Sequence, residues 1–308
     1  MKFLVTGGAG FIGSNIAETL VKRGHKVSVL DNLSTGSLSN LKPFLKKIEF
    51  IKGDICNVRD LKKALKGIDY VLHQAALRSV PRSVDDPMST NDVNITGTLK
   101  LLIEARNAKV KRVVYASSSS AYGDSKLIPQ NENHRTSPIS PYAVAKLAAE
   151  HYCHVFAKTF GLQTVSLRYF NVFGPKQSPE SKYAAVIPKF IKSAVKGETL
   201  IVHGDGKQSR DFTFIDNVVN ANILAATAPG VSGETFNIAC GDSSSVMDIV
   251  RGIEKILGKK IKVKHEPPRA GDVRKTKADI SKAKRMLKYK PGISFNEGLE
   301  QTFNWLIG

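Results

Sequence analysis

A glycine-rich turn near the N-terminus constrains the fold of this chain more than any other feature. Residues 2–6 read as a short buried strand, the sequence GGAGFIG follows at residues 7–13, and an apolar helical pattern continues to Arg23. Glycine in such a turn permits tight geometry, close approach of the backbone to a pyrophosphate, and close packing of the helix on the strand. The free N–H groups at the helix N-terminus then face the phosphates. The sequence therefore predicts a dinucleotide-binding strand–turn–helix unit.

An acidic residue after the second strand indicates which dinucleotide binds. The strand predicted at residues 26–30 ends at Asp31. An acid about 20 residues beyond the glycines accepts a hydrogen bond from the ribose 2′-hydroxyl of NAD, and it repels the 2′-phosphate of NADP. We therefore expect NAD as the cofactor.

Short apolar strands alternate with helical stretches over the first 170 residues. The predicted strands are 2–6, 26–30, 48–51, 69–72, 111–116 and 163–168, and the predicted helices lie near 11–23, 58–66, 87–107 and 141–160. This alternation is typical of a parallel sheet covered on both faces. We predict an α/β fold, with a Rossmann-type doubly wound parallel sheet in residues 1–170. Residues 171–308 should form mainly a smaller substrate-binding lobe, with the part around 210–230 packing back on the core.

A Tyr-x-x-x-Lys spacing at Tyr142 and Lys146 indicates acid–base chemistry. A Ser-Pro pair directly precedes Tyr142 and favours a helix start, so the two side chains share one helix face. A neighbouring ammonium lowers the pKa of a phenol towards neutrality, which makes a general base for an alcohol proton. A second match, Tyr122 to Lys126, lies in a Gly/Asp/Ser turn where no helix would hold the side chains together.

Small, polar or acidic residues follow the predicted strands, where a cofactor would lie. Residues 53–55 follow the third strand and are candidates for holding the adenine, and residues 73–76 follow the fourth. Four serines at 117–120 end the fifth strand, and one of them would hydrogen-bond both the substrate hydroxyl and the phenolate. Asn94 lies on the long helix, where a buried structural amide is the alternative interpretation.

The chain has a formal net charge of +19, and much of it is concentrated in one segment. Residues 255–290 contain 14 Lys and Arg residues against three acidic residues. Three explanations remain open: steering of an anionic substrate, nucleic-acid binding, or a solvated surface adapted to salt or heat. Tyr289 is the one aromatic residue in this segment, so a base-stacking platform is not supported.

Cysteine spacing and hydropathy limit the classes of protein to which the chain can belong. Cys56, Cys153 and Cys240 fit no metal-binding or disulfide spacing, which agrees with a reducing compartment. No signal peptide is apparent, and no apolar run approaches the ~20 residues that span a bilayer. We expect a cytoplasmic protein without a bound metal.

The chain resembles the extended short-chain dehydrogenase/reductase family, and within it the nucleotide-sugar 4-epimerases. The matching segments are VTGGAGFIG at 5–13, DNL at 31–33, GDI at 53–55, SPYAVAK at 140–146, RYFNVFGP at 168–175 and SRDF at 209–212. The similarity runs nearly from end to end. In that family the helices that match 87–107 and 141–160 pair across a two-fold axis, so the resemblance implies a homodimer.

The resemblance also implies roles for individual residues. Tyr142 matches the base, Lys146 its activator, and Ser118 the triad serine, because Ser118 stands four residues before the Tyr122-Gly123 pair. The implied NAD contacts are Gly7, Gly10, Phe11, Ile12, Gly13, Asp31, Asn32, Ser34, Thr35, Gly36, Asp54, Ile55, Gln74, Ala75, Ala76, Asn94, Tyr142, Lys146 and Phe170. The implied contacts to a UDP-sugar are Arg82, Ser118, Tyr142, Asn171, Ala185, Val186, Arg210, Arg269, Asp272 and Thr276.

The residues beside the triad serine distinguish the reactions of the family. Dehydratases carry an Asp-Glu pair there, whereas this chain has Ser119-Ser120, and the glutamate usual in decarboxylases is also absent. We therefore expect 4-epimerisation. Tyr142 would take the C4 hydroxyl proton while the C4 hydride moves to NAD, the 4-keto sugar would rotate, and the hydride would return to its other face.

In the family, the size of one residue beside the sugar, here called the gate residue, determines which sugars are accepted. A tyrosine at the gate excludes N-acetylated sugars, and Thr276 matches that position. Residues 77–83 and 183–188 also resemble epimerases that act on UDP-GlcNAc. We expect activity on UDP-GlcNAc/UDP-GalNAc and on UDP-Glc/UDP-Gal. Two alternatives remain: a UDP-glucuronate 4-epimerase that uses Arg82 for the sugar carboxylate, and a non-catalytic NAD-sensing or nucleic-acid-binding protein.

Overall fold

The computed structural model describes residues 1–179, 185–268 and 274–308. The strands in chain order are β1 (Lys2–Thr6), β2 (Lys26–Asp31), β3 (Glu49–Lys52), β4 (Tyr70–His73), β5 (Arg112–Ser118), β6 (Gln163–Tyr169), β7 (Val172–Phe173), β8 (Leu200–His203), β9 (Ser209–Arg210), β10 (Thr213–Phe214), β11 (Glu234–Ile238), β12 (Ser244–Ser245) and β13 (Val263–Glu266). The α-helices are α1 (Phe11–Lys22), α2 (Val58–Ala64), α3 (Val80–Asp85), α4 (Pro87–Asn91), α5 (Thr98–Asn107), α6 (Pro141–Thr159), α7 (Val186–Val195), α8 (Ile215–Thr227), α9 (Val246–Leu257), α10 (Ser281–Leu287) and α11 (Phe295–Ile307).

The central sheet has seven parallel strands in the order β11-β6-β5-β4-β1-β2-β3. The chain moves outwards from β1 in both directions, so the strand order reverses between β1 and β4. Ligands of doubly wound sheets bind outside the carboxyl ends of the strands at such a switch point. The predicted Rossmann-type fold is confirmed, and each of the six predicted strands lies within two residues of its observed bounds.

The alternation of side chains along β1 explains why the sheet has a core on each face. Phe3 and Val5 are fully buried in one hydrophobic cluster together with residues of α1 and α8, such as Ile16. Leu4 is fully buried in a second cluster together with residues of α2, α5 and α6, such as Leu101. Successive strand residues point to opposite faces, so a strand covered on both sides reads as a continuous apolar run.

The seventh strand comes from the C-terminal half of the chain, and the sequence did not predict it. Residues Glu234–Ile238 form β11, which pairs with β6 at the edge of the sheet. The segment ETFNI is short and carries polar residues, and it lies where the alternation of strands and helices has become irregular. Helix α8, from the 210–230 region, packs on β4, β5 and β6.

The long helix predicted at 87–107 is divided by a π-helical segment. Residues Asp92–Gly97 have π-helical geometry between α4 and α5. Such π-helical turns are rare and often occur at functional sites, because the additional residue in the turn redirects nearby side chains. Asn94 lies in this turn. Its Oδ1 accepts a hydrogen bond from the Leu77 N–H at 2.7 Å, and its Nδ2 donates to the Leu77 carbonyl at 2.9 Å.

The smaller elements of the C-terminal half pack beside the sheet. Helices α7, α9 and α11 contact one another, β8 pairs with β13 in parallel, and β9 pairs with β12 antiparallel. Across the described residues, no helix has the length and apolar character needed to cross a membrane.

Candidate active site

Two neighbouring cavities open at the carboxyl edge of the sheet. The first cavity is lined by the glycine turn, by the ends of β2, β4 and β5, and by the start of α6. The second cavity lies between residues 79–81, the segment around Asn171, and the elements α7, β8 and β9. The predicted cofactor contacts that line the first cavity are Gly7, Gly10, Phe11, Ile12, Gly13, Asp31, Asn32, Ser34, Thr35, Gly36, Asp54, Ile55, Gln74, Ala75, Ala76, Tyr142 and Lys146.

Backbone geometry explains the glycines of the turn. Gly7 has a φ of +65°, and a Cβ atom there would lie 2.7 Å from the Ala75 Cα. A Cβ at Gly13 would collide with the Gly7 carbonyl oxygen, so α1 packs against the turn only without a side chain at this position. No side chain caps α1 at Gly10, so its first-turn N–H groups are available to an anion in the cavity.

Two carboxylates form the far end of the first cavity. Asp31 accepts hydrogen bonds from the Ala9 N–H at 2.9 Å and from the Leu33 N–H at 2.8 Å, which fix its orientation. Asp54 accepts from Asn32 at 2.8 Å. Burial raises the pKa of Asp54, but hydrogen bonds from the Cys56 N–H and from Asn32 outweigh it, and the net pKa is lowered. A negative wall of this kind accepts ribose hydroxyls and disfavours an additional phosphate.

Tyr142 and Lys146 line this cavity, and Ser118 at the end of β5 is not among its described lining residues. Ser140 caps α6 by accepting the Ala143 N–H at 3.2 Å, which starts the helix at Pro141. The Lys146 Nζ lies 6.0 Å from the centroid of the Tyr142 ring. Ser118 acts to lower the pKa of the Tyr142 phenol.

The neighbouring serine has a different partner. The Ser117 hydroxyl donates to the buried carboxylate of Glu150 at 2.6 Å, whereas the Ser118 hydroxyl accepts from Ser120 at 2.9 Å and Ser118 acts on the pKa of Tyr142. Ser118 is therefore the serine that acts on the phenol.

Electrostatics around Tyr142 differ from the sequence-based expectation. Burial raises the pKa of Tyr142, while Ser118 and the charge of Arg78 act in the opposite direction. Lys146 donates to the Ala116 carbonyl at 2.7 Å, and burial lowers the pKa of Lys146 to about 8. The cost of burying a phenolate at this position thus exceeds the stabilisation from Ser118 and from the charge of Arg78.

The second cavity contains four of the predicted substrate contacts: Asn171, Ala185, Val186 and Arg210. The backbone of Asn171 has a φ of 32°, and its Nδ2 donates to the Asp211 carbonyl at 3.1 Å and to the Thr276 hydroxyl at 3.4 Å. The Thr276 N–H donates to the Ser209 carbonyl at 3.1 Å. Thr276 therefore contacts Asn171, but it is not itself among the described residues that line the second cavity.

Phe170, Asn94 and Arg82 were predicted to contact the cofactor or the substrate, but they do not line either cavity. The Phe170 side chain is fully buried and packs near Tyr122, and the preceding Tyr169 lines the first cavity, because alternate residues at a strand end face opposite sides. The amide of Asn94 is buried and holds the Leu77 backbone. Arg82 is not among the described residues that line either cavity. Arg269 and Asp272 lie outside the described residues.

Some residues of the cavity walls were not anticipated from the sequence. Arg78 and Tyr169 line the first cavity, and Lys189, His203 and Gln208 line the second. Arg78 follows β4 among the strand-end residues, so its position after a strand could have predicted that it lines the cavity. The walls of the second cavity come from separate short elements, and no local spacing relates them.

A buried ion pair joins two of the elements that carry the site. Arg168 on β6 contacts Glu150 on α6 at 2.6 Å, and both side chains are 6% exposed. The Arg168 guanidinium carbon also lies 4.7 Å from the centroid of the Tyr122 ring. Because Glu150 holds Ser117, this network connects α6 to the ends of β5 and β6.

Known proteins resemble the chain over its whole length. The model of the NAD dependent epimerase/dehydratase family matches residues 3–239. A putative UDP-glucose 4-epimerase of Methanocaldococcus jannaschii is 37% identical over 306 residues, which cover 98% of this chain and 97% of the relative. The UDP-N-acetylglucosamine 4-epimerase of Methanobrevibacter ruminantium, solved in complex with UDP-N-acetylmuramic acid, is 42% identical with a TM-score of 0.95, covering 99% of this chain and 98% of that one. The UDP-glucuronic acid 4-epimerase of Bacillus cereus, solved with UDP-glucuronic acid and NAD, is 36% identical with a TM-score of 0.92, covering 100% and 99%.

These comparisons confirm the family resemblance and NAD as the cofactor. The first cavity fits NAD on its own geometry, since its glycine turn leaves no room for a Cβ at Gly13 and its far end carries Asp31 and Asp54. The chain therefore belongs to the NAD-dependent epimerase/dehydratase family, within the extended short-chain dehydrogenases/reductases.

Proposed function

We propose that the protein is a UDP-hexose 4-epimerase that interconverts UDP-GlcNAc and UDP-GalNAc, and also UDP-Glc and UDP-Gal. The observation that carries this proposal is that Tyr142 and Lys146 share a helix face in the wall of the NAD cavity, with Ser118 acting on the phenol and a second cavity next to the first. Relatives named as 4-epimerases of UDP-sugars support the choice of substrate class.

The second cavity holds the UDP-sugar in this account. Arg210 lines it and supplies a guanidinium, whose planar fork suits a diphosphate. Its remaining predicted contacts, Asn171, Ala185 and Val186, surround the rest of the nucleotide sugar. In this proposal residues 171–308 form mainly the substrate lobe, although β11 belongs to the central sheet and α8 packs on that sheet.

Tyr142 is the group that accepts the proton of the sugar C4 hydroxyl and later returns it. Ser118 acts on the phenol of Tyr142, and its hydroxyl orients the substrate hydroxyl toward this tyrosine. Lys146 is held against the Ala116 carbonyl beside the tyrosine. NAD, when bound, supplies a reversible hydride acceptor. Because the reaction is redox-neutral, the protein needs no second substrate.

The serines beside Ser118 favour epimerisation over elimination of water. Ser120 donates to Ser118 at 2.9 Å, and Ser119 starts the short 3-10 helix Ser119–Tyr122. Neither hydroxyl can replace the carboxylic acid that a dehydratase needs. A 4-keto sugar formed here is therefore reduced again rather than dehydrated.

Enlarging the gate should separate the two substrate pairs. We expect Thr276→Tyr to lower kcat/KM for UDP-GlcNAc by on the order of 10–100-fold or more, because the ring would occupy space for the N-acetyl group, while UDP-Glc is turned over as before. Thr276→Val is the matched control, since it removes only the hydroxyl that accepts from Asn171. Steady-state kinetics with both substrates measure this. Equal losses for the two sugars in Thr276→Tyr would refute the gate assignment.

The outer faces of α5 and α6 support a homodimer. Exposed apolar side chains on these helices are Ile103, Val144, Tyr152 and Val155. Exposed apolar residues along two adjacent helices suit burial against a second copy of the chain. We propose that these helices form the two-fold interface.

A substrate comparison tests the proposed function. The purified protein is incubated, without added NAD, with UDP-GlcNAc, UDP-Glc and UDP-glucuronate in separate reactions, and the products are separated by chromatography. The proposal predicts the C4 epimers of the first two. Conversion of UDP-glucuronate alone would favour that alternative, and no conversion even after addition of NAD would favour a non-catalytic protein.

A further inference from the structure

A buried histidine, His73, is the last residue of strand β4 and precedes a segment that lines the NAD cavity. This segment comprises residues 74–77, all four of which line the first cavity. The His73 side chain is 1% exposed, and it is not among the described lining residues. His73 can therefore act on a bound cofactor only through the residues of this wall.

Both ring nitrogens of His73 contact a buried threonine hydroxyl. Nδ1 lies 2.6 Å from the Oγ1 of Thr6, the residue that pairs with His73 at the end of β1. Nε2 lies 3.0 Å from the Oγ1 of Thr98, at the start of α5. Both threonine side chains are buried. The imidazole thus joins β1 to α5 through the end of β4.

The outer ends of this chain of hydrogen bonds determine the direction of every bond in it. The Thr98 hydroxyl donates its one proton to the Asn94 carbonyl at 2.7 Å, so its oxygen accepts from Nε2. At the other end, the Ala75 N–H donates to the Thr6 oxygen at 3.3 Å, which leaves the Thr6 proton for Nδ1. A carbonyl oxygen only accepts, and an amide N–H only donates. The hydrogen bonds therefore assign to His73 the neutral tautomer that carries its proton on Nε2.

The surroundings of His73 keep its ring neutral. Burial lowers the pKa of His73 to about 3, and the charge of Lys146 acts in the same direction. The Tyr115 ring, whose centroid lies 5.7 Å from that of His73, also stays neutral, because burial raises the pKa of this phenol. A neutral imidazole is what the chain of hydrogen bonds requires, since an imidazolium has no lone pair to accept the Thr6 proton.

The two ends of the chain hold two parts of the cavity wall. At one end, the hydrogen bond from the Ala75 N–H keeps this residue against the glycine turn, where a Cβ at Gly7 would lie only 2.7 Å from the Ala75 Cα. At the other end, the Asn94 side chain makes two hydrogen bonds to the Leu77 backbone, at 2.7 and 2.9 Å. His73 connects these two ends.

We propose that His73 is a positioning residue for NAD, which as the Nε2–H tautomer holds residues 75–77 in the cofactor-binding conformation through its two threonine partners. Support of this kind raises the affinity for a ligand, because the wall loses less conformational freedom when the ligand binds. The inference concerns the NAD site and goes beyond the proposed reaction, so it holds for any sugar substrate.

The tautomer of His73 is measured by NMR of the NAD-saturated protein, labelled with ¹⁵N in its histidines. Near neutral pH, we expect a protonated, pyrrole-like Nε2 and an unprotonated, pyridine-like Nδ1. The signals of His73 are assigned by their absence from His73→Gln. A proton on Nδ1, with or without one on Nε2, would overturn the proposal.

Exchange of bound NAD against radiolabelled NAD tests whether the chain of hydrogen bonds supports the cofactor. Thr98→Val removes the hydroxyl between His73 and Asn94 and should raise the exchange rate about tenfold, and Thr98→Ser should restore it. Thr302→Val, in α11, is the matched control. The Thr302 hydroxyl is likewise buried and donates to the carbonyl four residues earlier, at 2.6 Å, so its loss should lower stability without faster exchange.

The outcomes separate support of the cofactor from general stability. Faster exchange in Thr98→Val and not in Thr302→Val, together with the Nε2–H tautomer, supports the proposal. An exchange rate in Thr98→Val equal to that of the parent, or the same acceleration in Thr302→Val, would overturn it. Because the exchange assay contains no sugar, its failure leaves the proposed epimerase reaction standing, and failure of the epimerase assay leaves this test valid.

Discussion

Tyr142→Phe should lower kcat by about 10²–10⁴-fold, the range that a general acid–base group contributes. The phenol is half-buried in the wall of the NAD cavity, and Ser118 acts to lower its pKa. Phenylalanine keeps the ring and its packing but cannot take or return a proton. Retention of NAD and affinity for the UDP-sugar should therefore change little. Steady-state kinetics and the NAD content of the purified variant measure both.

The second Tyr-x-x-x-Lys match supplies the control for this prediction. Tyr122 is fully buried and donates to the Asn237 side chain at 2.7 Å, away from the described lining of the first cavity. Tyr122→Phe should lower the free energy of unfolding by about 1–3 kcal/mol, because Asn237 loses a buried partner. The kcat of the folded variant should remain near that of the parent. Similar losses of kcat in both variants would show that the Tyr142 effect is structural.

Glu150→Ala should lower the free energy of unfolding by about 3–5 kcal/mol, because it leaves the Arg168 guanidinium buried without its counter-charge. The pair joins α6 to β6 at 2.6 Å with both side chains 6% exposed, and Glu150 also accepts the Ser117 hydroxyl. Urea denaturation of the NAD-saturated protein, with two spectroscopic probes, measures the change.

Two further variants distinguish a buried charge from lost packing. Lys196→Ala removes an exposed ion pair with Glu198, measured at 4.0 Å, and should change stability by no more than about 1 kcal/mol. Glu150→Leu combined with Arg168→Met replaces both charges by apolar groups and should recover much of the loss, since no unpaired charge remains. If the double variant is less stable than Glu150→Ala, the cost does not come from an orphaned charge.

The sheet was largely predictable because its signals are local. A strand buried on both faces, such as β1, is a continuous apolar run, and the glycine turn after it has few other uses. Strand β11 escaped prediction because its five residues include Glu234, Thr235 and Asn237. It becomes a strand by pairing with β6, which is a tertiary interaction that no local pattern contains.

Some features of the candidate site were also predictable from local sequence, and others were not. The spacing of Tyr142 and Lys146 predicted their shared helix face, because four residues make one turn of a helix. The direction of the Tyr142 pKa depends on burial and on Arg78, which approaches from another element. The π-helical turn that sends Asn94 to Leu77 likewise has no sequence signature.

The fate of the hydrogen at C4 tests the central claim most directly. The protein, purified without added NAD, is incubated with UDP-GlcNAc that carries deuterium at C4, and the product is examined by NMR and mass spectrometry. If Tyr142 moves only the hydroxyl proton and the C4 hydrogen leaves and returns within the same protein, the UDP-GalNAc formed retains the deuterium at C4. Appearance of solvent hydrogen at C4 in the epimer, or formation of a 4-keto product that is not reduced again, would contradict the account.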